Sequence, residues 1–147
     1  MKAFIHSNRE LIGTAYLVLR LGLGVIMFAH GAQKAFGWFG GYGLSATVDG
    51  MGKMGLPVFL VYLSIFTEFL GGIAMIFGIL TRIFGIALTI NMAVAVIAVH
   101  LKNGMLGQGG FEYPLSLGLM ALAISIGGPG ILSLDHLLFK HKLGHQK

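Results

Sequence analysis

Apolar residues run along this chain in four long blocks, separated by short polar or glycine-rich connections. The blocks extend over about 11–35, 57–80, 83–101 and 111–130. Each approaches the ~20 mostly apolar residues that a helix needs to cross the hydrocarbon. Strict period-two alternation is absent, which argues against a membrane barrel. Backbone groups in lipid must pair within their own segment, so the blocks are expected to be helices. The predicted fold class is therefore all-α, an antiparallel integral membrane four-helix bundle forming a single membrane domain over 1–147. The connection Leu80-Thr81-Arg82 is short enough to make the second and third helices antiparallel neighbours. The longer stretch from Phe36 to Leu56 opens with Phe36-Gly37-Trp38-Phe39-Gly40-Gly41-Tyr42. Its mixture of glycines and aromatics suits the headgroup level and predicts an outer-side interfacial or re-entrant loop. At Gly127-Gly128-Pro129-Gly130 the fourth helix should break, because Pro129 has no amide donor. The run from Ile131 to Leu138 then reads as a short C-terminal interfacial helix, with Ser133 as N-cap and Asp135 in its first turn.

Composition strengthens the membrane reading. Of 147 residues, 56% are hydrophobic and 10% charged, whereas soluble domains carry roughly a quarter charged residues. The formal net charge is +5, but the basic residues flank apolar runs and do not form a patch for nucleic acid. They set topology instead. Lys2, Arg9, Arg82, Lys140, Lys142 and Lys147 collect on one side of the bundle, and Lys34, Lys53 and Lys102 on the other. That excess predicts a multi-pass membrane protein with both termini in the cytoplasm. The first apolar block is expected to be a retained helix and not a cleaved signal, since it is long and holds Arg20 near its centre. With no cysteine in the chain, disulfides, thiolate redox chemistry, iron–sulfur clusters and cysteine zinc sites are excluded.

The few polar residues inside the blocks carry the candidate chemistry. At about 1.5 Å per residue, Arg20 lies roughly 13 Å from Leu11, Glu68 roughly 18 Å from Leu80 and Asn91 roughly 12 Å from Ile83. These three are expected in one middle layer, where Arg20 and Glu68 pair and Asn91 adds a hydrogen bond. The plain alternative is that such a pair only orients helices. The functional alternative is a polar floor for a cavity holding a quinone, a lipid head or a proton. Glu68 is then the proton-active candidate, because burial and a neighbouring cation pull a carboxyl's charge state in opposite directions. A second layer near the outer surface contains His30 and Lys34 on one helix face, His100 at the end of the third helix, and Glu112 before the fourth. Two histidines in a bundle invite metal or haem ligation. No HxxxH or ExxH pair occurs, so interfacial hydrogen bonding or contact with a ligand's polar head is the plainer reading. No metal site is assigned. The glycine-rich stretches are not phosphate loops, since they lack the lysine and the strand–helix context. Gly71, Gly72, Ala74 and Gly78 give the second helix a small face for close helix contact.

In order along the chain stand Arg20, His30-Gly31-Ala32-Gln33-Lys34-Ala35-Phe36-Gly37, Gly55-Leu56-Pro57, Glu68, Thr81-Arg82 and His100. They are followed by Gly110-Phe111-Glu112-Tyr113-Pro114, Gly127-Gly128-Pro129-Gly130 and Ser133-Leu134-Asp135. In these motifs and their spacing, from Leu11 to Leu137, the chain resembles the DoxX family of small four-helix bacterial membrane proteins. The resemblance implies a membrane subunit associated with quinone-linked oxidoreductase systems, with Arg20, His30, Lys34 and Glu68 lining the site. Asn91, His100 and Glu112 complete the candidate ligand-binding set. Without cysteines or flavin and nucleotide motifs, a partner subunit would have to supply the redox centre unless the chain itself binds haem or quinone. The expected partners are membrane lipids, redox partner subunits and a second copy of the chain. Two other functions compete with this one, a small-molecule or lipid carrier or channel and a structural scaffold.

Overall fold

The computed structural model describes residues 9–130 and 132–143. Lys2, His6, Ile131, His145 and Lys147 lie outside the described residues, as do the side chains of Arg9, Lys140, His141 and Lys142. The fold is all-helical. Helix α1 spans Arg9–Phe36, and a 3-10 turn follows at Trp38–Gly40. Helix α2 spans Gly43–Lys53, α3 Val58–Phe77, α4 Thr81–Ala95, α5 Glu112–Gly127 and α6 Leu134–Leu143. The helix begun by α4 continues through a π-turn at Val96–His100 and a 3-10 turn at Leu101–Asn103. Among the described residues, three helical stretches are long and apolar enough to cross a membrane: Leu11–Phe36, Val58–Phe77 and Thr81–Asn103. Helix α5, with 16 residues, is about 24 Å long, somewhat under the ~30 Å of a typical hydrocarbon core.

Most apolar side chains point outward. Leu63, Ile90, Ile97, Leu119 and Ile126 are all exposed, between 57% and 70%, which in water would be an aggregation surface and in lipid is the natural one. Inside, Leu23 and Met27 of α1, Met75 of α3, Leu88 and Met92 of α4, and Leu117, Ala121 and Ile124 of α5 form one core.

Glycine sets the register. In the α1–α3 pair, a methyl group at Gly24, Gly31 or Gly72 would run into the backbone of the opposing helix, so these helices approach as closely as small residues permit. Gly24 meets Ile76, Phe28 meets Gly72 and Gly31 meets Phe69. Position i of α1 thus faces position 100 − i of α3, and the pair is antiparallel. Gly71 meets Leu88 and Glu68 meets Asn91 across α3–α4, and Gly85 meets Ser125 and Gly118 meets Met92 across α4–α5, so those pairs are antiparallel too.

This register corrects the expected polar layer. Depth counted from Leu11 and Leu80 made Arg20 and Glu68 neighbours, but Arg20 lies beside Gly78, past the end of α3, while Glu68 falls opposite Ala32, about 18 Å away along the axis. The predicted Arg20–Glu68 pair does not form. Counting failed because α1 runs on beyond the end of α3, with Tyr16 and Gly13 packed beside Gly127 and Gly130.

Arg20 instead closes the end of the bundle where α6 folds back. Its guanidinium donates to the carbonyls of Pro129, at 2.8 Å, and Leu132. It occupies the space that a side chain at Gly78 would need. The Asp135 carboxylate caps the start of α4, accepting from the amides of Leu80 and Thr81 at 2.8 Å each. Those amides are free to be capped because helix α4 is just beginning there. Leu80 itself adopts a left-handed φ of 48°, a sparsely populated conformation for a branched side chain. Helix α5 ends at Gly127, ahead of Pro129, as its glycines and proline predict. Ser133 caps α6 through the amide of His136 at 3.1 Å. Arg82 donates to the Ser125 carbonyl at 3.1 Å in the last turn of α5, satisfying a carbonyl that the helix leaves open.

Candidate functional site

The buried stripe of α3 reads Val61, Ile65, Glu68, Gly72 and Met75. Its spacing of three and four residues is that of one helix face, so the carboxyl of Glu68 is carried inward by the same periodicity that buries its apolar neighbours. Its side chain is 4% exposed. Lys34 lies in the last turn of α1, where a cation is favoured by the helix dipole. From there its ammonium reaches back and donates to Glu68 Oε1 at 2.6 Å. The amide of Asn91, opposite on α4, donates to the same oxygen at 3.3 Å. Both donors converge on Oε1. The other oxygen, Oε2, is buried and accepts no hydrogen bond from any described residue, a costly arrangement for a polar atom unless something else meets it.

Glu68, Lys34 and Asn91 form the floor of a cavity of about 480 Å³ between α2, α3 and the α4 stretch. That size lies within the range of small-molecule sites. The walls are mostly apolar. Met51 and Met54 come from the end of α2 and the residue after it, Leu63 from α3, and Ile90 and Val94 from α4. Leu63, Ile90 and Val94 are also among the outward-facing residues, 43% to 60% exposed, so the cavity is continuous with the lipid-facing surface between α3 and α4. His100 borders it at the end of the π-turn. Its Nδ1 lies 2.7 Å from the Gly109 carbonyl and donates to it. Asn103 donates to the same oxygen at 2.9 Å, pinning the loop that leads to α5.

Of the seven residues singled out from sequence, four meet here: Lys34, Glu68, Asn91 and His100. The other three do not line the cavity. Arg20 is at the far end of the bundle. His30 faces α5, with Nε2 3.2 Å from the Tyr113 hydroxyl and the two rings 5.9 Å apart. Glu112 is exposed at the start of α5. The two histidines considered as a ligand pair thus each have a partner elsewhere.

Three features escaped the sequence reading. The stretch from 36 to 56 contains a helix, α2, whose end covers the cavity. The only sequence hint was a run free of proline between Gly43 and Lys53. The π-turn at Val96–His100 has no sequence signature, though such turns recur at functional sites. Finally, Ser64, one turn before Glu68, and Thr67, three residues after Ser64, add hydroxyls to the cavity wall. They were legible only after the facing of α3 was known.

Comparison with known proteins agrees with this architecture. Residues 15–101 match the DoxX family, a stretch that includes Lys34, Glu68, Asn91 and His100. The chain is 37% identical over 131 residues to "Putative oxidoreductase CatD" of Bacillus subtilis, covering 89% of this chain and 90% of that protein. It is 31% identical over 143 residues to "Inner membrane protein YqjF" of Escherichia coli, covering 90% of this chain and 98% of that one. No solved structure matches it. The helical bundle, the motifs from Arg20 to Asp135 and these matches place the chain in one group: it belongs to the DoxX family.

Proposed function

We propose that this chain is the membrane subunit of a quinone-linked oxidoreductase system and holds a quinone-class ligand in the cavity floored by Lys34, Glu68 and Asn91. The observation that carries the proposal is the pairing of an ion pair with a buried carboxylate and largely apolar walls open to lipid. A ligand with a compact polar ring and a long apolar tail matches both parts, with its ring at the floor and its tail leaving between α3 and α4. A membrane-embedded ionisable pair is expensive to insert and is a functional-site hypothesis by default. The relationship to a protein described as an oxidoreductase supports the reaction class. With no cysteine in the chain, electrons would pass between the ligand and a redox centre on a partner subunit. A location in the inner membrane is supported by the relative described as an inner membrane protein. The concentration of basic residues at the α6 end supports a cytoplasmic position for that end.

The test is purification in mild detergent followed by organic extraction. Quinone should co-purify with the wild-type protein and be lost from Leu63→Trp, which fills the cavity wall without touching the ion pair. Recovery of phospholipid alone, with quinone reduction in membranes unchanged by deletion, would sink the reading.

A further inference from the structure

The floor of the cavity is unbalanced in its hydrogen bonding. Glu68 Oε1 takes two donors, from Lys34 and Asn91, while Oε2 is buried and takes none among the described residues. A carboxylate is an acceptor at both oxygens. Asn91 gives one of its two amide protons to Glu68 Oε1 and keeps a second donor and a carbonyl acceptor. Lys34 is the charged donor at the floor, but its side chain is 29% exposed, so its remaining protons have access to water. The unmet requirement at the floor is therefore for a donor.

We propose that the cavity selects the hydroxyl-bearing form of its ligand: within a quinone–quinol couple it takes the quinol, whose ring hydroxyl donates to Glu68 Oε2. This rests on the quinone-class reading above and adds the redox state that the site prefers. A quinone presents only carbonyl acceptors, and turning one toward Oε2 sets two lone-pair groups against each other in a buried place. The quinol replaces that repulsion with a hydrogen bond to a charged oxygen. The methionines at the mouth, Met51 and Met54, are adaptable apolar contacts, and Asn91 and the wall hydroxyls of Ser64 and Thr67 can donate or accept and so meet either form; discrimination falls to Glu68, which only accepts.

Equilibrium dialysis of the full chain in mild detergent, without oxygen, tests this with three probes. They are a decyl-tailed para-benzoquinone, its quinol, and the dimethyl ether of that quinol. The quinol should bind about ten- to a hundredfold more tightly than the other two, the effect of one hydrogen bond to a charged group. In Glu68→Gln, whose side chain can also donate, the preference should disappear or reverse. Equal binding of all three to the wild-type protein, lost in Leu63→Trp, would overturn the selection while leaving the ligand class standing. Binding of none would overturn both. A quinol preference that survives in Glu68→Gln would assign it to another acceptor and overturn the role given to Oε2. The wild-type comparison needs no variant and stands even if Glu68→Gln fails to fold.

Discussion

Lys34 and Glu68 make the ion pair on which the stability of the cavity floor can be tested. Removing one partner of a buried ion pair strands the other, a loss of about 3–5 kcal/mol in water-free settings. Lys34 keeps some contact with water, so Lys34→Met should fall below that range, at about 2–3 kcal/mol. The double change Lys34→Met with Glu68→Leu should recover most of that loss, because no charge is then left unpaired. Thermal melting in detergent gives both numbers. If the double variant is no more stable than Lys34→Met alone, the pair does not couple as its 2.6 Å contact implies. The orphan oxygen of Glu68 is the other half of the same residue's behaviour. A fold selected for stability alone would have little reason to leave it unmet, and Asn91 is close enough to have been shared differently.

Among the elements, glycine at the α1–α3 contact decides which polar residues meet. Gly31→Ala should cost about 1–3 kcal/mol, since its methyl would press on the backbone of Phe69. Gly22, on the same helix with open space around it, serves as the control. Gly22→Ala should be neutral or stabilising by up to about 1 kcal/mol through helix propensity. Denaturation midpoints of the two variants separate close packing from propensity, and equal effects would contradict the register. This contact also explains what could be read from the chain beforehand. Hydrophobic runs located the long helices to within a few residues, and Gly128 and Pro129 located the end of α5. The residues of the site were legible as intramembrane polar groups. Their partners were not, because pairing depends on how far one helix slides along another. Nothing in the hydropathy of α1 marks where it passes the end of α3. Small residues carried that information: Gly24, Gly31 and Gly72 align when position i is set against 100 − i, and so bring Lys34 rather than Arg20 to Glu68.

At the scale of the whole molecule, the two ends of the bundle do different work. One end gathers Arg20, Arg82 and Asp135 on open carbonyls and amides and ties α6 to the helices. The other carries the cavity, covered by α2. The natural absence of cysteine makes sidedness directly measurable. Single cysteines at Lys53 and Gly104 should react with an impermeant maleimide added to intact cells, and one at Ile79 should react only after the membrane is opened. The reverse pattern would invert the topology proposed above, placing the cavity end toward the cytoplasm.

The cap that Asp135 places on α4 also bears on how the chain is made. The turn at Gly78–Leu80 and the first residues of α4 leave the ribosome long before Asp135, which lies 55 residues further on from Leu80. Until that carboxylate arrives, the α3–α4 hairpin enters the membrane with its turn amides answered only by water. A later-made segment therefore finishes a junction that was synthesised early. Biogenesis of this bundle is complete only when its C-terminal arm has folded back to the point where its second hairpin began.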